Sequence, residues 1–176
     1  RQIHGESTSG LFAITVDDGV RTTVREISEV CIRRGWPVTF FLPTGYLDKT
    51  NPMAFQLKNI IIQYLPQRII TLFGVDYNLK TKTGKRNFIL ALNNALYIKS
   101  KNIYMPILSA LVDEIIEDGL AKKENLQPPE PVMWDEVKEL SSDPNISFES
   151  HGVTHTALST LSDEHIQSEI INSQNR

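Results

Sequence analysis

Cysteine is nearly absent from this sequence, since Cys31 is the only one among 176 residues. A single thiol excludes a disulfide within the chain and a zinc site built from cysteines. Its spacing from Val24 and Ile27 places the three side chains on one face of a predicted helix. We therefore expect Cys31 to be a small residue of the core.

Long apolar runs are missing as well. No stretch approaches the roughly 18 residues that cross a bilayer as a helix. The opening residues, RQIHGESTSG, lack a methionine and do not have the pattern of a signal peptide. Both ends of the sequence are typical of a fragment, and the residues by themselves predict no compartment.

Neither sign of charge dominates, because 18 Lys and Arg side chains face 21 Asp and Glu, for a net charge of −3. This balance gives no reason to expect a nucleic acid as the main partner. The one short basic run, KTKTGKR at residues 80–86, is interpreted as a solvated loop, with a site for an anionic polymer as the less favoured alternative. At 40% hydrophobic residues, the composition is that of one globular domain.

The first clearly patterned segment predicts a β-α-β unit. The apolar run LFAITV at residues 11–16 predicts a strand buried on both faces. A helix is expected at about residues 22–34, with Gly35 as a left-handed cap, and PVTFFL at residues 37–42 predicts a second buried strand. Such units have parallel strands and a right-handed crossover.

From about residue 45 to residue 131 the pattern becomes helical. NFILALNNALYIKS and MPILSALVDEIIEDGL have helical spacing, and no convincing buried strand separates them. The short apolar runs at 60–62 and 69–73 fit either kind of element. Pro128, Pro129 and Pro131 end the region because closely spaced prolines cannot continue a helix. We interpret it as a largely helical insertion.

The β/α pattern then resumes. WDEVKEL has an apolar helical face, and ISFES at residues 146–150 predicts a third strand. LSDEHIQSEII predicts a further helix, with Ser162 as its N-cap and with Asp163 and Glu164 in its first turn. Alternating strands and helices of this kind predict an α/β fold with a parallel sheet.

Two polar motifs follow the predicted strands. Asp17, Asp18 and Gly19 come after the first strand, and His151 and His155 come after the third. Each motif alone is weak evidence, since Asp-Gly is ordinary turn chemistry and histidines four residues apart often face solvent. Loops at the carboxyl ends of parallel strands share one face of the fold, however, so the two motifs are expected to meet.

One carboxylate and two imidazoles form a ligand set typical of a catalytic divalent metal site with an open position. Such a metal lowers the pKa of bound water to about 7 and polarises a carbonyl oxygen. The second aspartate would then be a natural general base. This interpretation accounts for two aspartates where one ligand would be enough.

TVDDG at residues 15–19 resembles the TFDDG motif of the polysaccharide deacetylases, carbohydrate esterase family 4, which include chitooligosaccharide deacetylase-like domains. SHGVTH at 150–155 resembles their second motif, H-S/T-x-x-H. The resemblance covers about residues 11–47 and 132–173, and the insertion resembles the surface- and exopolysaccharide branch. It implies that residues 1–176 are the N-terminal portion of a distorted (β/α) barrel, incomplete in this chain.

The resemblance also implies roles for single residues. Asp17 would be the general base, and Asp18, His151 and His155 would bind a divalent metal, most often zinc. The implied reaction is hydrolysis of N-acetyl (or O-acetyl) groups on an amino-sugar polysaccharide or oligosaccharide. An extracytoplasmic or cell-envelope location is the matching expectation.

The chain departs from the family pattern in two ways. Gly152 stands where the family usually has Ser or Thr, and neither the third motif, an Arg-x-Pro-Tyr-like stretch, nor the late catalytic histidine is found. His4 lies in the N-terminal tail, and His165 lies in the first turn of a helix, where we expect a surface role. We therefore expect a metal half-site without its general acid, and a poor catalyst.

Three further expectations follow for the assembly and the alternatives. The edge of the third strand should be covered by another chain or by further residues, as in an oligomer. One alternative function is that of an amidase of the same fold, acting on a small non-sugar amide. Another is a non-catalytic role as a binding or assembly fragment.

Overall fold

The computed structural model describes residues 12–49, 53–99, 101–126 and 128–176. Leu11, at the start of the predicted first strand, and His4 lie outside these residues. The helices and strands in chain order are β1 (Ile14–Asp17), α1 (Arg21–Arg34), β2 (Val38–Leu42), α2 (Thr44–Leu47), α3 (Ala54–Gln63), β3 (Ile69–Leu72), β4 (Val75–Asn78), α4 (Lys82–Ile98), α5 (Lys101–Glu117), α6 (Trp134–Leu140), β5 (Ile146–Ser150) and α7 (Asp163–Gln174).

A parallel sheet organises the chain, with its strands in the order β1-β2-β5. Val16 pairs with Phe40, and Phe40 pairs with Phe148, so all three carboxyl ends lie at the same edge. The predicted β-α-β unit, the third strand and the α/β class are confirmed. Gly35 caps α1 at a φ of 64°, as its position predicts. The sheet does not close on itself within the described residues.

The expectation that the first strand is buried on both faces was wrong. Ile14 and Val16 are partly buried, whereas Thr15 and Asp17 are exposed. β1 is an edge strand of the sheet among the described residues, and Thr15 and Asp17 lie on the face opposite the core. Thr39 and Ser147 lie on the same face, where their hydroxyls are 2.8 Å apart.

The packed face of the sheet forms the first core. Phe40 stacks on Phe148 with ring centroids 5.4 Å apart, and α1 lays Val24 and Cys31 against the sheet. Cys31 is 2% exposed, which confirms its predicted place in the core. The segments after β2 and before α6 complete this core; its buried residues are Val24, Cys31, Val38, Phe40, Leu42, Tyr46, Leu47, Met53, Val132 and Ile146.

The inserted region has a second core, centred on Ile61, Phe88 and Leu108. It consists of α4 and α5, as the helical spacing predicts, together with α3 and an antiparallel hairpin of β3 and β4. Of the two ambiguous apolar runs, residues 60–62 therefore lie in a helix and residues 69–72 in a strand. None of the helices in the described parts of the chain is long and apolar enough to cross a membrane.

The basic run at residues 80–86 is exposed, but it is not a loop throughout. The Thr81 hydroxyl accepts a hydrogen bond from the Gly84 amide at 3.0 Å and thereby caps α4, which begins at Lys82. Gly84 is also required for space, because a Cβ there would lie 1.9 Å from the carbonyl oxygen of Asn78. Residues 82–86, which were interpreted as part of a loop, therefore form the first turn of α4.

Candidate metal centre

The turn after β1 presents Asp18 to the carboxyl edge of the sheet. Asp18 and Gly19 both have left-handed backbones, with φ of 76° and 64°. Gly19 is buried, and a Cβ there would meet Leu42 Cδ2 at 2.9 Å, so the position combines a steric and a conformational need for glycine. The Val132 amide donates to the Gly19 carbonyl at 2.8 Å. The turn is therefore fixed both by the close packing of Gly19 and by its hydrogen bond with Val132.

The two histidines lie on a loop rather than on a helix. This histidine loop, residues 151–155, follows β5 directly, and Gly152 and His155 have φ of 75° and 55°. Its Gly152 and Val153 carbonyls accept hydrogen bonds from the Thr44 and Gly45 amides at 3.0 and 2.9 Å. Backbone pairing with the segment after β2, and not helical periodicity, brings the two imidazoles to one side.

Asp18, His151 and His155 converge, as the order of the motifs predicts. His155 Nε2 lies 3.0 Å from Asp18 Oδ1, and His151 Nε2 lies 3.8 Å from the same oxygen. One ligand atom from each residue lies within 4.8 Å of the others. Ligands about 2.0 to 2.1 Å from a tetrahedral metal are separated by roughly 3.3 Å, so the donor set and its spacing fit zinc.

Burial lowers the pKa of His151 below its usual value, and the neighbouring His155 lowers it further, while Asp17 and Asp18 oppose both effects. A lowered pKa keeps the imidazole neutral near pH 7, and the neutral ring is the form that binds metals. Asp17 is exposed at the end of β1 and is not one of the three clustered ligands. Asp17 directly precedes Asp18 in the chain, and its negative charge is one of the two that counteract the lowering of the His151 pKa.

A cleft of about 630 Å³ opens next to the histidines. One wall is the histidine loop, and the other comes from the inserted region through Phe55 and Lys58 of α3 and Tyr97 of α4. The Phe55 ring meets the His155 ring edge-on, with centroids 5.6 Å apart. Tyr97 is 71% exposed and therefore available to a ligand.

His165 lies on the surface, as expected. Its Nδ1 is 2.7 Å from the hydroxyl of Ser162, which holds the predicted N-cap position of α7. That hydroxyl makes no capping bond to the helix backbone, so the predicted location of the cap is right but its hydrogen bond is to the His165 ring instead.

Sequence reasoning missed several residues around the cluster. Glu149 lines the cleft, and strict alternation along ISFES could have predicted that it faces away from the core. Glu169 of α7 binds the backbone of the histidine loop from 15 and 16 residues away. Neither this contact nor the cleft wall of Phe55 and Tyr97 leaves a local signal, because all of them depend on how distant segments pack.

The fold and the cluster define a class: an α/β protein with a carboxylate and two imidazoles at the carboxyl edge of a parallel sheet. The family of the polysaccharide deacetylases matches residues 4–176, and the chain belongs to this family. No curated protein and no solved structure gives a significant match. The family consists of metal-dependent hydrolases that act on acetylated polysaccharides. The resemblance inferred from two short motifs is thus confirmed, and the match extends across the inserted region.

Proposed function

We propose that this protein removes acetyl groups from an amino-sugar polysaccharide or oligosaccharide with a zinc ion bound by Asp18, His151 and His155. The observation that carries the proposal is the convergence of three ligand atoms from two distant motifs within 4.8 Å in a polysaccharide deacetylase. When bound, a divalent ion supplies Lewis-acid polarisation of the acetyl carbonyl and makes water a stronger acid.

Asp17 is the general base in this proposal. Asp17 is adjacent to Asp18 in sequence but outside the ligand set, and its carboxylate would be free to take a proton from the attacking water. Cleavage of the amide releases acetate and an amine, and the departing amine needs a proton of its own. No residue assigned to this site has the role of general acid, a function worth roughly 10²- to 10⁴-fold, and we therefore expect slow turnover.

The cleft supports a sugar as substrate. Phe55 and Tyr97 offer aromatic surfaces at its outer wall, and Lys58 and Glu149 offer charged groups that can hydrogen-bond hydroxyls. The apolar faces of pyranose rings pack on aromatic rings, while their equatorial hydroxyls seek polar partners. The native glycan belongs to the cell envelope or the extracytoplasmic space in this proposal, following the substrates of the family.

The open polar face of the sheet supports a distorted (β/α) barrel as the complete architecture. Thr15, Thr39 and Ser147 would then face its interior. Among the described residues β1 and β5 are the outer strands, and their free edges would be paired by further strands or by another chain in an oligomer.

Zinc titration and acetate release test the proposal together. Calorimetry should show one zinc ion per chain, and mass spectrometry should show slow, zinc-dependent loss of acetyl groups from acetylated chitooligosaccharides. Zinc located by anomalous scattering away from Asp18, His151 and His155 would refute the metal centre. Faster hydrolysis of small N-acetyl amides would favour the amidase, and bound zinc without any acetate release would favour a non-catalytic role.

A further inference from the structure

The carboxylate of Glu169 makes three hydrogen bonds to the histidine loop. Glu169 Oε2 accepts hydrogen bonds from the amides of Val153 and Thr154 at 2.7 and 2.9 Å. Glu169 Oε1 accepts a third hydrogen bond from the Thr154 hydroxyl at 2.8 Å. Val153 and Thr154 lie between His151 and His155, so these bonds fix the stretch of backbone that sets the distance between the two imidazoles.

We propose that Glu169 is the positioning residue of the metal centre, holding His151 and His155 at ligating distance before any metal arrives. This inference rests on the proposed metal-dependent function and adds a residue of α7 to it. Hydrogen bonds to a carboxylate are roughly twice as strong as neutral ones. Groups that orient metal ligands in this way contribute about 10- to 100-fold to metal affinity.

Gly152 shows why the carboxylate is needed. The family usually has Ser or Thr at this position, whereas here a Cβ would lie 3.0 Å from Glu169 Oε2 and the backbone has a φ of 75°. A residue larger than glycine at position 152 would therefore crowd the Glu169 carboxylate.

Further hydrogen bonds lie near both ends of the histidine loop. Before it, the hydroxyl of Ser150 is hydrogen-bonded to that of Ser173, which is also on α7. Towards its end, the Thr154 hydroxyl lies 2.7 Å from the hydroxyl of Thr156, the residue that follows the loop. Helix α7 thus contacts the loop through both Glu169 and Ser173.

Glu169→Gln tests the role while preserving size. The Gln oxygen can still accept from the two backbone amides, but the negative charge is lost, and hydrogen bonds to a carboxylate are roughly twice as strong as neutral ones. In the metal-free chain, hydrogen exchange at the Val153 and Thr154 amides should accelerate at least about 10-fold. The Kd for Co²⁺, followed by the visible absorption of the ion, should rise about 10- to 100-fold.

Two further variants make the test specific. Glu164→Gln makes the same chemical change at an exposed site on the same helix and should leave both measurements unchanged. Thr154→Val removes the hydrogen bonds of the Thr154 hydroxyl to Glu169 Oε1 and to the Thr156 hydroxyl but keeps both backbone amide bonds to Glu169, and it should raise the Kd for Co²⁺ by a smaller factor, about threefold. This variant leaves α7 untouched and therefore serves even if Glu169→Gln fails to fold.

The outcomes separate this inference from the proposed function. Unchanged Co²⁺ affinity in Glu169→Gln, with tight binding by the wild type, would overturn the positioning role and leave the metal centre in place. Absence of Co²⁺ binding by the wild type would overturn both, even if amide exchange still accelerated in the variant. Faster exchange together with weaker binding, absent in Glu164→Gln, is the result that supports the proposal.

Discussion

The two cores of this protein are built in different ways. The first core joins β1, α1 and β2 to α6 and β5, which follow more than 80 residues later in the chain. The second core is made of residues from one continuous region, between 54 and 126. All three clustered ligands belong to segments around the first core. The geometry of the proposed metal centre therefore depends on long-range packing, whereas the inserted region is held together by local contacts and reaches the site through residues such as Phe55.

This difference separates two tasks. The parallel sheet places ligands at its carboxyl edge, and the insertion shapes the cleft through Phe55, Lys58 and Tyr97. Contacts such as that of Phe55 with His155 connect the two. Changes in the first region should accordingly affect metal binding and chemistry, and changes in the second should affect substrate binding.

The largest expected effect is at the two adjacent aspartates, which should behave differently. Asp17→Asn removes a base but no ligand, so turnover should fall about 10²- to 10⁴-fold with unchanged zinc affinity. Asp18→Asn removes the anionic ligand of the cluster and should weaken zinc binding as well. Calorimetry and acetate release on both variants provide the comparison. Equal loss of zinc in the two would show that the roles are assigned wrongly.

Truncation of one large side chain in each core should separate the regions. Phe40 and Phe88 are both 0% exposed, and each change to Ala should cost about 3–5 kcal/mol of stability. Phe40→Ala should also lose Co²⁺ binding, because the ligands depend on the sheet. Phe88→Ala should retain the Co²⁺ spectrum at low temperature while the inserted helices melt first, as followed by circular dichroism. Loss of the spectrum in step with those helices would mean that the two cores fold as one unit.

A smaller effect is expected at the cleft wall. Tyr97→Ala should raise KM for the oligosaccharide about two- to tenfold with little change in kcat, because a stacking contact far from the reacting bond binds ground state and transition state alike. Ile98→Ala is the matched control, since Ile98 is 74% exposed and does not line the cleft. A fall in kcat with constant KM would place Tyr97 in the chemistry rather than in binding.

The sequence predicted those features that are encoded locally. The apolar run of β2 and the glycine after α1 indicate their elements directly, and the order of two motifs along parallel strands predicts that Asp18 meets the histidines. The hairpin had one local signal, Gly74, and the structure places Phe73 and Gly74 at φ of 52° and 80°, the pair of left-handed residues that a tight hairpin turn requires.

What could not be predicted depends on distant neighbours. Thr15 and Asp17 are exposed because they lie on the face of the sheet opposite the first core. The residue pattern of the strand does not specify which of its faces will be covered. The hydrogen bonds of Glu169 require α7 to pack beside the histidine loop. The left-handed backbone of His155, at a φ of 55°, likewise has no specific signal in the sequence, because non-glycine residues adopt this conformation only occasionally.

The smallest effect should be a pH-dependent one in the first region, at the start of α6. Burial tends to raise the pKa of Glu136, but hydrogen bonds from the Met133 amide at 3.0 Å and from Arg21 and Arg25 outweigh it and lower the pKa below the ordinary 4.5. A lowered carboxyl pKa stabilises the folded state above the ordinary value, and this stabilisation disappears as the pH falls through the folded pKa. Glu136→Gln should therefore cost about 1 kcal/mol at pH 7 and progressively less as the pH falls below 4.5. Urea denaturation at several pH values measures the difference, with the exposed Glu139→Gln on the same helix as control. A cost that stays constant down to pH 3 would mean that Glu136 acts through its shape and not through its charge.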